Sequence, residues 1–148
     1  MYCKYIIVLQ SSARHFQSEL FIATSIKESS MSSVFEQIGG QAAVDAAVDI
    51  FYRRVLGDDL ISHFFDVVDM DRQIVKQKAF LTMAFGGPNS YTGKDMRSAH
   101  QHMALTDAHF DAVAGHLQGT LEELNVARHL IDEVMAIAGS TRNDVLNR

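Results

Sequence analysis

Gln73, Lys76 and Gln77 share helical spacing with Phe80, Leu81 and Ala84. One face of a helix predicted over residues 71–85 is therefore polar in its first half and apolar in its second. Two amides and an ammonium turned towards a protein interior cost free energy unless a partner meets them. A polar or metallic group is expected opposite that face. His100 is a second inward candidate, because it shares a stripe with Met96, Ala99 and Met103 on a short predicted helix. Its imidazole could ligate a metal, or it could be a core histidine bonded to a carbonyl. Tyr52 follows Phe51 on the inward side of an earlier helix and carries a phenolic hydroxyl. That hydroxyl could serve a ligand or be tied to backbone. Gln73 and Gln77 could likewise line a half-exposed flank, and Lys76 could lay its stem on the apolar edge with its charge in water.

The remaining histidines carry less. His63 precedes Phe64 and Phe65 in a loop-like stretch, and His102 cannot point inward together with His100 from one regular helix. His109, His116 and His129 show no ligand spacing. Paired-cysteine zinc motifs, HExxH, GxSxG and phosphate-loop glycines are all missing from the sequence. What stands out is order: a tyrosine, a Gln–Lys–Gln stripe, then an inward histidine, from three elements. Phe51, Phe64, Phe65, Phe80 and Met96 could wall a pocket between them. A flat aromatic cofactor with a central metal would answer the polar stripe, and imidazole is the usual axial ligand of haem iron in oxygen-binding proteins.

The elements that must position these groups are helical. Ser33 and Glu36 fit a capping box for a short helix ended by Gly39–Gly40. Val44, Ala47, Val48, Phe51, Tyr52 and Val55 repeat at helical spacing until Gly57, Asp58 and Asp59. Asp69–Asp71 caps the polar-striped helix, Gly86–Gly87–Pro88 stops it, and residues 89–94 read as loop. Thr106 caps a helix with Phe110, Val113, Ala114, Leu117, Leu121 and Leu124 inward. A last helix carries Leu130, Ile131, Val134, Ile137 and Ala138 and is expected to stop near Gly139. No comparable strand pattern follows residue 31. The fold class is all-α, with residues 32–148 as the domain and residues 1–31 as an extension that is flexible or a targeting segment.

Composition bounds the partners. The chain has 148 residues, 47% of them hydrophobic and 21% charged, which suits one domain with a proper core. A net charge of −5 argues against nucleic acid as a partner. One cysteine, Cys3, excludes an intrachain disulfide and favours a reducing compartment. No apolar run reaches the length of a membrane span. A cytoplasmic protein is expected, with organelle targeting by residues 1–31 the alternative.

With these residues in view, the sequence resembles the group I truncated haemoglobins of cyanobacteria, green algae and ciliates. The resemblance rests on VFEQIGG, FYRRVLGDD with Tyr52, the SHFF aromatics, QKAFLTMAFGGP, MRSAH ending in His100, and the C-terminal AGSTRNDVLN. It covers roughly residues 32–148. It implies a two-over-two helical sandwich around one haem b, with His100 as the proximal iron ligand. Tyr52 is similar to the distal tyrosine that hydrogen-bonds dioxygen, and Gln73 and Gln77 match positions where glutamine assists it. Lys76 falls where some members place a residue that itself takes the sixth iron position. Some members attach haem through a histidine near the C-terminus, where this chain holds Thr141. The implied function is reversible binding of dioxygen, with nitric oxide or carbon monoxide as further ligands, in a monomer or weak dimer. Nitric oxide dioxygenation with an external reductase, and gas or redox sensing, are the alternatives.

Overall fold

The computed structural model describes residues 32–148; the extension and Cys3 lie outside the described residues. Among the described residues every regular element is helical. Helix α1 (Val34–Ile38) opens with the expected capping box: Ser33 Oγ accepts from the Glu36 amide, and Glu36 accepts from the Ser33 amide. Gly39 and Gly40 follow at φ +116° and +69°, a left-handed pair that side chains resist, and turn the chain into α2 (Gly40–Leu56). All six residues of the predicted α2 stripe are buried, with Val44, Val48 and Val55 wholly so.

A turn through Gly57 and Asp58 leads to a short 3₁₀ helix, Ser62–Phe65. Asp69 then caps α3 (Met70–Ala84) by accepting from the Arg72 amide. Phe35 N–H donates to the Phe85 carbonyl at 2.8 Å, which seats α1 on the end of α3. Gly87 is needed there because a Cβ would lie 2.7 Å from Phe35 Cγ. Asp95 caps α4 (Met96–His100), and Thr106 caps α5 (Asp107–Glu123). Helices α6 (Arg128–Ser140) and α7 (Arg142–Val145) complete the chain.

Helix α2 packs on both α3 and α5, and α5 packs on α6, which makes two helix pairs stacked across a shared core. Val44, Val48, Phe51, Tyr52, Val55, Ile61, Leu81, Phe85, Leu121, Ile131 and Val134 form that core. At about 25 cal/mol per Å² such burial is the main force holding the sandwich. No helix among the described residues is long and apolar enough to cross a membrane.

One expectation needs correction, that for Val113, and two features, α7 and the burial of Thr120, were not foreseen. Helix α6 ends at Ser140, one residue past Gly139, as expected, and is followed by α7, a short helix that the sequence pattern did not show. Val113 is exposed, because the buried edge of α5 runs through Thr120 and Leu121. Thr120 is wholly buried at no polar cost, since its hydroxyl donates to the His116 carbonyl at 2.8 Å.

Candidate functional site

Tyr52 sits on α2, 4% exposed, with its ring edge-on to Phe51 at 5.2 Å and to Phe65 at 5.8 Å. Those contacts fix the ring and leave only the hydroxyl to direct. Gln73, from the first turns of α3, donates its amide Nε2–H to the Tyr52 oxygen at 3.1 Å. Because that oxygen accepts, the hydroxyl proton is free for another acceptor. Burial raises the Tyr52 pKa above its ordinary 10.0, outweighing the lowering effect of the Gln73 bond. Tyr52 therefore remains a neutral donor at physiological pH.

The polar stripe divides. Gln73 and Gln77 are half-buried, one turn apart, and Lys76 between them is exposed. The expectation of an ammonium in the same buried space is thus not met here: an uncompensated charge stays in water because dehydrating it costs too much. Phe80 and Leu81 continue the face into the core, as expected. Tyr91 stacks edge-on to Phe80 at 5.4 Å and donates its hydroxyl to the Lys94 carbonyl at 2.6 Å, which folds the loop before α4 back onto α3.

His100 closes α4 and is half-buried. Its Nδ1–H donates to the Met96 carbonyl at 2.6 Å. A carbonyl only accepts, so Nδ1 carries a proton, and in the neutral ring the lone pair is then on Nε2. This is the tautomer a metal requires, with a second hydrogen bond orienting the ring. Of the expected wall, Phe51 belongs to the core, while Phe64, Phe65 and Phe80 are partly buried against it and Met96 is half-buried.

Two polar contacts escaped sequence reasoning. His116 Nε2–H donates to Asp58 Oδ2 at 2.7 Å, joining α5 to the turn after α2. The His116 bond, with a smaller contribution from the Leu60 amide, holds the Asp58 carboxyl below its usual range. His109 closes a capping box at α5 by accepting the Thr106 amide on Nδ1, and its ring meets Phe64 at 5.0 Å. The first pairing has no local spacing that could announce it, since its partners are 58 residues apart; the second has the local spacing of a capping box, with an imidazole in the place of the usual carboxylate or amide.

This arrangement, a two-by-two helix sandwich with a tyrosine–glutamine pair and a metal-ready histidine, defines a small globin. The family model described as bacterial-like globin matches residues 33–147. A group 1 truncated haemoglobin from Synechocystis is 52% identical over 124 residues, covering 80% of this chain and all of the relative. One from Tetrahymena thermophila is 47% identical over 116 residues, covering 78% and 96%. The solved 2/2 haemoglobin of Synechococcus sp. PCC 7002, in its cyanomet state with covalently attached haem, superposes at a TM-score of 0.76 with 51% identity, covering 79% of this chain and 100% of that one. The chain belongs to the bacterial-like globin family, as a group 1 truncated haemoglobin.

Haem b is the usual globin cofactor, and membership implies haem-based binding of diatomic gases. The residues present fit that group: one half-buried imidazole whose Nδ1 is engaged by a carbonyl, aromatic side chains partly buried against the core, and a neutral hydroxyl donor with its amide partner.

Proposed function

We propose that this protein binds dioxygen reversibly at a haem held by His100 as proximal ligand, with Tyr52, Gln73 and Gln77 on the gas-binding side. When bound, haem supplies a ferrous iron that takes up a diatomic gas and shifts negative charge onto it. The observation that carries this reading is the His100–Met96 hydrogen bond, which engages Nδ1, orients the ring and leaves Nε2 as the nitrogen that can bind iron. The Tyr52 hydroxyl, its oxygen engaged by Gln73, offers its proton to the ligand in a site lined by apolar side chains, where a donor acts most strongly. Gln77, one turn along α3, offers a second amide. Phe64, Phe65, Phe80 and Met96 exclude water and hold the cofactor edge. Nitric oxide and carbon monoxide are expected at the same position.

Lys76 is proposed as a residue that reaches the same position when no gas is present. It lies on α3 between Gln73 and Gln77, and its long stem can turn from solvent. An ammonium has no lone pair, so this role requires loss of its proton, and gas affinity falls by the fraction of protein so closed.

The test is titration of haem-free protein with haemin. Saturation at one equivalent with a Soret band, followed by reversible spectral change on exposure of the reduced protein to dioxygen, is expected. Uptake without a stoichiometric end point, or reduced protein blind to dioxygen, overturns the reading.

A further inference from the structure

Helix α4 has five residues, little more than one turn, and a single turn is unstable alone because nucleation costs more than its first hydrogen bonds return. His100 is its last residue, so the imidazole follows wherever the turn is held. Within the turn, Asp95 accepts from the Ser98 amide at 2.9 Å and from the Ser98 hydroxyl at 2.8 Å. The outside grip comes from the C-terminal segment. Arg97 Nη2 donates to Asp144 Oδ1 at 2.9 Å and to the Arg148 main-chain carbonyl at 3.1 Å. Helix α4 packs against α7, whose Val145 is buried.

Helix α7 is itself anchored on the first turns of α5. Arg142 donates to Asp107 Oδ1 from Nη2 at 2.6 Å and from Nε at 3.0 Å, and to Asp111 Oδ1 at 2.7 Å. Its guanidinium also lies 4.9 Å from the centre of the Phe110 ring. Arg148 donates to both Asp107 oxygens, at 3.0 and 2.8 Å. The loop 101–106 is thus bracketed: α4 before it and α5 after it are both tied to one C-terminal clamp.

We propose that Arg97 and Asp144 are a positioning pair that, through α7, sets the orientation of the His100 imidazole; this rests on His100 being the proximal ligand. Arg97 does not touch the ring. It follows Met96, whose carbonyl takes the His100 Nδ1–H, so a shift of Arg97 turns the imidazole and its orienting acceptor together. The pair is about half exposed on both sides, 47% and 54%, so salt weakens it.

The experiment uses the full haem-loaded chain and the same proteins free of haem. The readouts are the iron–histidine stretching band just after photolysis of carbon monoxide from the ferrous protein, haem loss to a scavenger globin, and hydrogen exchange of amides 96–100 in the haem-free protein. Arg97→Ala and Asp144→Ala each shift the band in the same direction, speed haem loss about two- to fivefold, and speed exchange. The double variant goes no further than Arg97→Ala, which also loses the Arg148 carbonyl, and Arg97→Asp with Asp144→Arg moves the band back towards its original place. Arg53→Ala, which removes an exposed 2.7 Å pair with Glu123, leaves the band in place. An unmoved band with unchanged haem loss in both single variants overturns the pair, as does an equal shift from Arg53→Ala. If Arg97→Ala does not fold, raising salt from about 0.05 to about 1 M on the unmodified protein must shift the band, and an unmoved band overturns the proposal. Loss of the band in His100→Gly with no shift in Arg97→Ala defeats the positioning pair alone. Persistence of the band in His100→Gly defeats the proximal assignment and the pair with it.

Discussion

Tyr52→Phe isolates one proton. The phenyl ring keeps the edge contacts to Phe51 and Phe65 and fills the same buried space, so only the hydroxyl is lost. A hydrogen bond to a charge-bearing acceptor contributes roughly 1.5–3 kcal/mol. At about 1.4 kcal/mol per tenfold, dioxygen release should accelerate about ten- to a hundredfold. The lower end is expected, because Gln73 Nε2 loses its acceptor 3.1 Å away and becomes free to donate to the ligand instead. Tyr52→Phe with Gln73→Leu removes that compensation and should reach the upper end. Carbon monoxide carries little charge, so its release should change less than about threefold. Stopped-flow displacement of dioxygen by carbon monoxide measures the first rate, and displacement of carbon monoxide by nitric oxide the second. An unchanged dioxygen rate, or equal acceleration of both gases, refutes the argument from charge.

Other outcomes follow from the same geometry. Lys76→Ala should abolish the pH dependence of the gas-free absorption spectrum; a spectrum identical to that of the unmodified protein at every pH removes Lys76 from the site. Asp107 is held below its ordinary 3.8, first by Arg148 and then by Arg142. Its stabilising contribution is therefore complete above that value and lost as pH falls through the depressed one. Helical signal followed against pH should show acid unfolding that Asp107→Asn makes less steep, and an unaltered acid limb would contradict the clamp. Gly87→Ala forces a Cβ against Phe35 Cγ and should cost about 1–3 kcal/mol in denaturant unfolding, whereas a neutral result means that α1 yields freely. Leu121→Ala, at a side chain 1% exposed, should cost about 2–5 kcal/mol by the same measurement.

Much of this was legible because it is local. The Ser33–Glu36 box, the α2 stripe, the Asp69 and Thr106 caps and the stop at Gly86–Gly87 follow from neighbours within one or two turns. Tyr52 and Gln73 were found separately, each from its own helix face, and the fold supplied the 3.1 Å between them. The misses are long-range or polar. Thr120 breaks the apolar pattern of α5 yet is buried, because its hydroxyl is satisfied inside its own helix. Helix α7 has too few apolar residues to show a period and is held by arginines whose partners are 31 to 51 residues away. Lys76 shares the stripe of Gln73 and Gln77, but periodicity fixes only the direction of Cα–Cβ, and a flexible charged stem returns to water.

The central claim is that the Nε2 lone pair of His100 holds the haem iron, and substitution with a cavity tests it most directly. His100→Gly should fold, lose the Soret and gas-binding spectra of the unmodified protein, and regain them when free imidazole is added. A glycine variant that keeps the same spectrum and the same dioxygen affinity without imidazole would contradict the account.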